Sequence, residues 1–536
     1  MQRTSVLIVG GGPTGLSMAL LFNRFKVDYV LVERSLTTTT HPKARGTWVR
    51  TMELFRQWGV EDRIVRRGLP DNASGFAFVE SMSGHEYGRV PREPDLGQSP
   101  SWKCTVSQDV VEEELLDAAR QDASGTIHQG VEYLAHEDTE GGVAVTTRDL
   151  RTGQETVYHA RFLIAADGAG SAVRGHIGIE MKGPASLAVM SNDYWQADLS
   201  HLPIVRQMGA FRIAPSRPDV PAGTILNTNG CDKWLTVGKL ADGDAQVEPP
   251  TEEEVVRVAR AHTGIPNLDV KIINRSTWRV SKQIAERYAK GRVFLVGDAA
   301  HRFPPTGGYG MNTGIQDAHN LAWKMTLVLQ GKAAPSLLAS YDLERRPIGQ
   351  ANADFSMGNT LRFRMMDEAF KSKNLAQIEF WIKDAVHHSH SIGLGLGFSY
   401  EHGAVIPDGT VHRGLVTRQY LPSDRPGGRY PHLWLDLARR RSTLDLFDTR
   451  FVVVYGPKAG DWAQAAKDVG ARLGLDIDAV RLDAVDPRDG LEMGLQGAVL
   501  VRPDGHVAWR TPGVGAASPS TVLGGVLARL LGTGQD

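Results

Sequence analysis

The sequence predicts an α/β protein with a β-rich insertion and a small C-terminal α/β module. Three observations carry this. An apolar run, Ser5 to Val9, passes through a glycine-rich turn into a helical stretch. Between about Met181 and Ser281 the texture changes to short β-rich runs, and past Gly403 the elements read in the order βαββα. With 536 residues the chain has room for about two to four units, each with its own core.

Composition narrows the class of partner. The chain is 41% hydrophobic and 23% charged, as in ordinary globular proteins. Lys plus Arg total 60 against 61 for Asp plus Glu, so no net field is available to hold a phosphate backbone or an anionic bilayer. Neither nucleic acid nor a membrane is expected as a partner. Cys104 and Cys231 are the only cysteines, too few for a disulfide framework or a cysteine-based zinc site. No metal is expected, and a reducing, cytoplasmic location follows. The apolar run ending at Val9 is too short for a signal segment, and no unbroken apolar stretch approaches the ~18 residues that span a bilayer. A soluble protein is expected.

The elements follow in order. Ser5 to Val9 reads as a buried strand, Thr14 to about Phe25 as a helix and Asp28 to Glu33 as a second strand, a βαβ unit. The acid-rich segment after Gln108 is helical, with strands at about Val143 to Thr147 and Phe162 to Ala166. In the insertion, Thr224 to Asn227 and Trp234 to Val237 flank Asn229-Gly230, a hairpin turn signal. The α/β texture returns with a strand at Arg292 to Val296 and a helix from Gly314 to Leu329, whose apolar residues Ile315, Ala318, Ala322, Met325 and Leu329 share a face. Beyond a Gly/Pro-rich linker come FVVVY, a helix near Asp461 to Leu473, the hairpin AVLVRPDGHVAWR and a helix from Ser520 to Leu531. That order suggests a thioredoxin-like module. No cysteine follows Cys231, so dithiol chemistry is impossible there. The expected segments are 1–182 with 284–400, an inserted sheet over 183–283, a linker over 401–440 and the last module over 441–536.

Gly10, Gly12 and Gly15 form GxGxxG directly after a strand and before a helix opened by Pro13 and Thr14. Glu33 closes the next strand, followed by Arg34. Glycines admit a pyrophosphate to the backbone, the helix N-terminus supplies N–H donors and a positive dipole end, and the carboxylate accepts from ribose hydroxyls. A turn needed only for helix–strand packing is the alternative, and the register of strand, helix and Glu33 favours a Rossmann-like dinucleotide site. The fingerprint alone does not separate FAD from NAD, although Glu33 would repel a 2′-phosphate.

Later motifs decide. RVFLVGDAAHRFPPTGGYGMNTGIQDAHNLAWK, from Arg292 to Lys324, resembles the second flavin-binding motif of the group A FAD-dependent aromatic hydroxylases, the p-hydroxybenzoate hydroxylase class. FLIAADGAGSAVR, from Phe162, looks like the Asp-Gly motif of that family. THPKARGTWVRTMELF, from Thr40, and SQDVVEEEL, from Ser107, match further segments. The resemblance implies that Asp298, after Gly297, binds the ribityl chain. It implies that the loop containing Pro305, Gly308, Gly310, Met311 and Asn312 packs beside the isoalloxazine, and that Asp167 serves both flavin and nicotinamide binding. Gln108 and one basic residue, Lys43 or Arg45, are implied as flavin contacts. A solvated surface role is the ordinary alternative for either cation. RPGGRYPH and STLDLF are similar to the larger phenol and aromatic polyketide hydroxylase branch of secondary metabolism, and Tyr309 stands where many relatives carry Gln.

The motifs together imply an FAD monooxygenase in which NADPH or NADH reduces the flavin, dioxygen adds, and a flavin hydroperoxide hydroxylates a phenolic, polycyclic aromatic substrate. No second GxGxxG in a βαβ context is present, so NAD(P)H is expected to dock transiently. The substrate pocket is expected between the flavin domain and the inserted sheet, with Asn192, Trp195, Phe211, Trp234 and Tyr309 as candidates to line it. Each has an ordinary core or turn role as its alternative. No catalytic base is assigned, because His301 belongs to the GDAAH turn. Baeyer–Villiger, epoxidation or rearrangement chemistry, and a flavoprotein that binds its ligand without turnover, are the competing readings. A monomer or homodimer is expected.

Overall fold

The computed structural model describes residues 2–73, 75–411, 414–483, 489–513, 515 and 517–533; the outermost ends of the expected segments, 1 and 534–536, lie outside them. The first sheet has eight strands. Gln2–Val9 lies at its centre, parallel to Tyr29–Glu33 on one side and to Glu155–Ala165 on the other. Gly125–Gln129 and Val293–Leu295 continue the parallel run outward. Successive strand residues point to opposite faces, yet Val6, Leu7 and Ile8 are all fully buried, so both faces of the sheet are covered. Helices Pro13–Phe25 and Tyr309–Leu329 pack against each other, and Gln108–Arg120 packs beside the first of them.

A seven-stranded sheet runs in the order Lys271–Val280, Ala188–Gln196, Lys233–Asp242, Gly223–Asn227, Met208–Ile213, Gly75–Val79 and Glu86–Val90. The hairpin turn falls at Asn229-Gly230, where Gly230 has φ +72° and the Asn229 side-chain oxygen accepts from the backbone N–H groups of Cys231, Asp232 and Lys233. The last two strands come from far upstream of the insertion. Gly75–Val79 joins parallel to Met208–Ile213, a long-range pairing that a run as short as FAFV does not advertise. Helix Glu252–Thr263, opened by a Thr251/Glu254 capping box, packs against one face of this sheet.

The C-terminal sheet has the order Ile477–Arg481, Phe451–Tyr455, Ala498–Val501, Val507–Thr511. The module is therefore βαβββα rather than βαββα. Ile477–Arg481 is a half-exposed edge strand with no clean alternation, which hides it in the sequence. Its parallel pairing to Phe451–Tyr455 across helix Asp461–Leu473, followed by an antiparallel pair and a last helix, is the thioredoxin-like arrangement.

The module is joined to the rest through apolar and ionic contacts. The apolar core of the first sheet continues into it through Phe451, Val453, Trp462 and Leu500, with Trp323 meeting Phe451 edge-on at 5.8 Å. Beside this core lies a buried ionic network. Arg502 donates to both oxygens of Glu344 at 2.9 Å, Lys324 donates to Glu344 at 2.7 Å, and Arg50 donates to the Asp504 carbonyl at 2.8 Å. Arg429 closes the chain by pairing with Glu53, which also accepts from Arg50. No helix among the described residues is long and apolar enough to cross a membrane.

Candidate active site

The turn after the first strand is shaped for close approach. Gly10 has φ +108°, and a Cβ there would fall 2.3 Å from the Ala166 carbonyl oxygen; one on Gly15 would fall 2.0 Å from the Gly10 oxygen. Only hydrogen fits at either place. Around Gly12 the space is open, and the helix begun by Pro13 carries no side-chain cap, so its free N–H groups face outward. Glu33 accepts from the Gly11 N–H at 2.6 Å and the Ser35 N–H at 2.7 Å. It lines a side pocket of 310 Å³ with Gly12 and Lys43.

A second helix N-terminus meets the first. Gly297, at φ +59°, and Gly314 lie against Thr14, where added Cβ atoms would sit 2.7 and 2.4 Å from the Thr14 hydroxyl. Gly308, at φ +69°, is the uncapped N-terminus of Tyr309–Leu329. Both ends open on one cavity of 2310 Å³, whose wall includes Gly12, Pro13, Thr14, Pro305, Gly308 and Gly310. Arg34, Gln108, Asp167, Asp298 and Met311 also line it. Of its lining residues twelve are Lys or Arg and seven Asp or Glu, a positive balance suited to phosphate-bearing ligands. Asp298 is open to the cavity but enclosed by protein, and that desolvation raises its carboxyl pKa against the pull of His301, Arg302 and Lys43. Burial likewise raises Asp167, whose Oδ2 accepts from the Val173 N–H at 3.1 Å.

Some expected contacts have other work. Asn312 is 3% exposed and lies behind the wall. Its Oδ1 accepts from the Trp48 N–H and the Thr51 hydroxyl, and its Nδ2 donates to the Gly46 and Gly308 carbonyls, so it ties the loop to segment 46–51. Arg45 borders the cavity, but its guanidinium donates to the Gly209 and Asn227 carbonyls of the seven-stranded sheet. Burial without a carboxylate partner lowers it to about 10. Lys43 stands at the junction of the cavity and the side pocket. Gln108 donates to Glu112 at 2.8 Å. His301 is fully buried between Asp317, 2.7 Å from its Nε2, and the stacked ring of Phe303; Asp317 is also held by Arg345 at 2.8 Å. That trio fixes the GDAAH turn from behind.

The seven-stranded sheet forms the opposite wall, and strand alternation decides which residues reach it. Met190, Asn192, Ala210, Arg212, Leu226 and Val237 line the cavity. Trp195, Phe211 and Trp234, expected to line it, do not: all three are fully buried on the far face, packed with Val255 and Ala259 of helix Glu252–Thr263. The indoles stack at 6.1 Å, their N–H groups donating to Thr236 and to the Ala197 carbonyl. Large aromatics are drawn to the side where a helix covers them completely. Asn192 keeps its expected place and accepts from the Trp278 indole at 2.9 Å. Tyr309 also lines the cavity, packed between Trp48, tilted against it at 4.5 Å, and Phe355, edge-on at 5.6 Å. A third wall, from Met357, Leu361 and Phe363 of helix Ser340–Lys371, carried no local signal in the sequence.

A dinucleotide cradle with two converging helix ends, opening on a large cavity walled by a separate sheet, defines a flavin-dependent oxidoreductase. The tight Gly10–Gly15 turn, the open space at Gly12 and the carboxylate of Glu33 fit FAD. Comparison with known proteins gives the same class. Residues 3–356 match the FAD binding domain family and residues 423–534 the C-terminal domain of aromatic-ring hydroxylases. The chain is 34% identical over 576 residues to the tetracenomycin A2 monooxygenase-dioxygenase of Streptomyces glaucescens, covering 99% of this chain and 98% of that protein. It is 32% identical to the phenol 2-monooxygenase of Pseudomonas sp. (strain EST1001), covering 98% and 92%. Among solved structures, the flavin-dependent monooxygenase PieE in complex with FAD and substrate superimposes with a TM-score of 0.92 at 32% identity, covering 99% of each chain. The chain belongs to the FAD-dependent aromatic-ring hydroxylases. It is a monooxygenase that carries FAD and takes NADPH or NADH as co-substrate.

Proposed function

We propose that the protein hydroxylates a polycyclic phenol of the aromatic polyketide type with dioxygen as oxidant. The carrying observation is the cavity. At 2310 Å³ it exceeds the roughly 300–1,000 Å³ of a typical small-molecule pocket, which leaves room for a fused-ring substrate beside the cofactor. The wall supplied by Met190, Leu226, Val237, Met357, Leu361 and Phe363 is apolar and suits flat hydrocarbon faces.

In this reading segments 1–182 and 284–400 hold the flavin, and 183–283, joined by strands 75–79 and 86–90, walls the substrate. The open helix end at Gly12–Thr14 and Arg34 hold the pyrophosphate, Glu33 the ribose and Asp298 the ribityl chain. Lys43, rather than Arg45, is the flavin-side cation, since Arg45 is engaged by two carbonyls of the sheet. Bound FAD supplies hydride acceptance from NAD(P)H and the activation of dioxygen. The chain's part is to hold the substrate ring against the Pro305–Met311 loop, direct the helix end at Gly308 toward charge developing on the cofactor, and exclude water with the apolar wall. Asn312 acts from behind the loop. Two cysteines, both free, fit a cytoplasmic location, and we take the protein to act as a monomer or homodimer.

Anaerobic NADPH reduction of the purified flavoprotein, with and without a panel of polycyclic phenols, tests the reading. One of these phenols should accelerate flavin bleaching, and labelled dioxygen should then place one oxygen on its ring. A ring-inserted lactone, or reduction indifferent to every phenol in the panel, would overturn it.

A further inference from the structure

Two histidines line the cavity, His41 and His388. His41 stands beside Lys43, its Nε2 3.5 Å from the Ser276 hydroxyl, at the end nearest the side pocket. His388 lies among aromatic rings. Its ring meets Phe363 edge-on at 5.0 Å and Phe76 at 6.0 Å, and both phenylalanines line the same cavity. The Ser389 hydroxyl lies 3.5 Å from Nδ1. Nε2 has no hydrogen-bond partner among the described residues, and His388 is half-buried on the cavity wall.

We infer that His388 selects the substrate, accepting the hydrogen bond of its phenolic hydroxyl at Nε2 while the ring it belongs to packs against Phe76 and Phe363. The inference rests on the polycyclic-phenol reading given above. A neutral imidazole has one donor and one acceptor nitrogen, and in the tautomer whose Nδ1–H donates to the Ser389 hydroxyl, Nε2 is the acceptor. The surroundings keep the ring neutral. Burial and the charge of Lys103 push His388 down to about 4. The charged groups on the neighbouring elements are already paired: Lys103 with Glu93, Arg212 with Asp367 beside Phe363, and Arg362 with Asp384. His390, on the same segment, is itself lowered by burial. No carboxylate among the described residues acts on His388 to make it a cation. A cavity-facing acceptor that a phenol can satisfy and an ether cannot discriminates against analogues lacking the hydroxyl.

The test is binding of 2-hydroxyphenanthrene and 2-methoxyphenanthrene to the oxidised holoenzyme, followed by the perturbation of the flavin absorption band. Wild type should prefer the phenol by about tenfold or more, the worth of one hydrogen bond, with the same ratio at pH 6 and pH 8. His388→Leu and His388→Phe should bring the ratio near one while leaving ether affinity within about twofold. His388→Gln, whose amide oxygen still accepts, should keep part of the preference. A wild-type ratio in either apolar variant, or a preference that titrates between pH 6 and 8, overturns the role of His388 alone. Failure of both ligands to bind wild type overturns the polycyclic reading and this inference with it.

Discussion

Gly15 shapes the turn proposed to hold the flavin by what it lacks. A methyl group there would fall 2.0 Å from the Gly10 carbonyl oxygen, so Gly15→Ala must push the first helix off the strand, at a cost of about 1–3 kcal/mol. The expected result is a protein that loses flavin on desalting, read as the ratio of visible to ultraviolet absorbance. The two cations of the Lys43–Arg45 segment should separate cleanly. Arg45→Ala strands the Gly209 and Asn227 carbonyls and should lower the thermal midpoint of the apoprotein, by about 1–3 kcal/mol in stability. Lys43→Ala should leave that midpoint unchanged and weaken FAD binding in a fluorescence titration. The reverse pattern would make Arg45 the flavin contact. Both residues were visible as candidates in the sequence, but only the paired carbonyls, more than 160 positions away in the chain, distinguish them.

At the scale of elements, much of the fold was legible because its signals are local. The helix at Asp461–Leu473, the strand FVVVY and the Asn229-Gly230 hairpin lie where periodicity and turn chemistry put them. What escaped was non-local. Strands Gly75–Val79 and Glu86–Val90 belong to a sheet built mainly a hundred residues later, and the parity of the sheet, which sends Trp195, Phe211 and Trp234 away from the cavity, depends on which face a helix covers. The turn proposed to hold the flavin was readable from glycine spacing; the opposite wall, made of residues scattered over all seven strands of the sheet and a helix, was not. The ionic network between helix Ser340–Lys371 and the C-terminal hairpin was equally invisible, and it carries a pH dependence. Arg502 and Lys324 hold Glu344 at about 2 against its ordinary 4.5. A carboxyl depressed by folding gives stability that is full above its unfolded pKa and is lost as pH falls toward the folded one. Stability should therefore fall between about pH 4.5 and pH 2, and Glu344→Gln, which leaves buried cations unpaired, should lower the midpoint at pH 7 by about 3–5 kcal/mol in stability. Thermal scans of both proteins across that range check it.

Taken whole, the molecule has three large sheets, with two small ones beside them among the described residues, but no seam at the C-terminal module. Apolar packing through Phe451 and Trp462, with the contacts of Arg50, Arg429 and Arg502, binds that module to the flavin-bearing part. Calorimetry of the full chain should show one cooperative transition in which flavin release and loss of the C-terminal sheet coincide; two separated transitions would contradict the shared core. The seven-stranded sheet has a different lesson. Odd and even positions along Ala188–Gln196, Met208–Ile213 and Lys233–Asp242 serve two masters, one parity filling a sealed interior and the other facing the guest. Because a substitution at one parity leaves the other untouched, such a wall can be rewritten for a new ring system, by selection or by an engineer, without reopening the question of whether the protein folds.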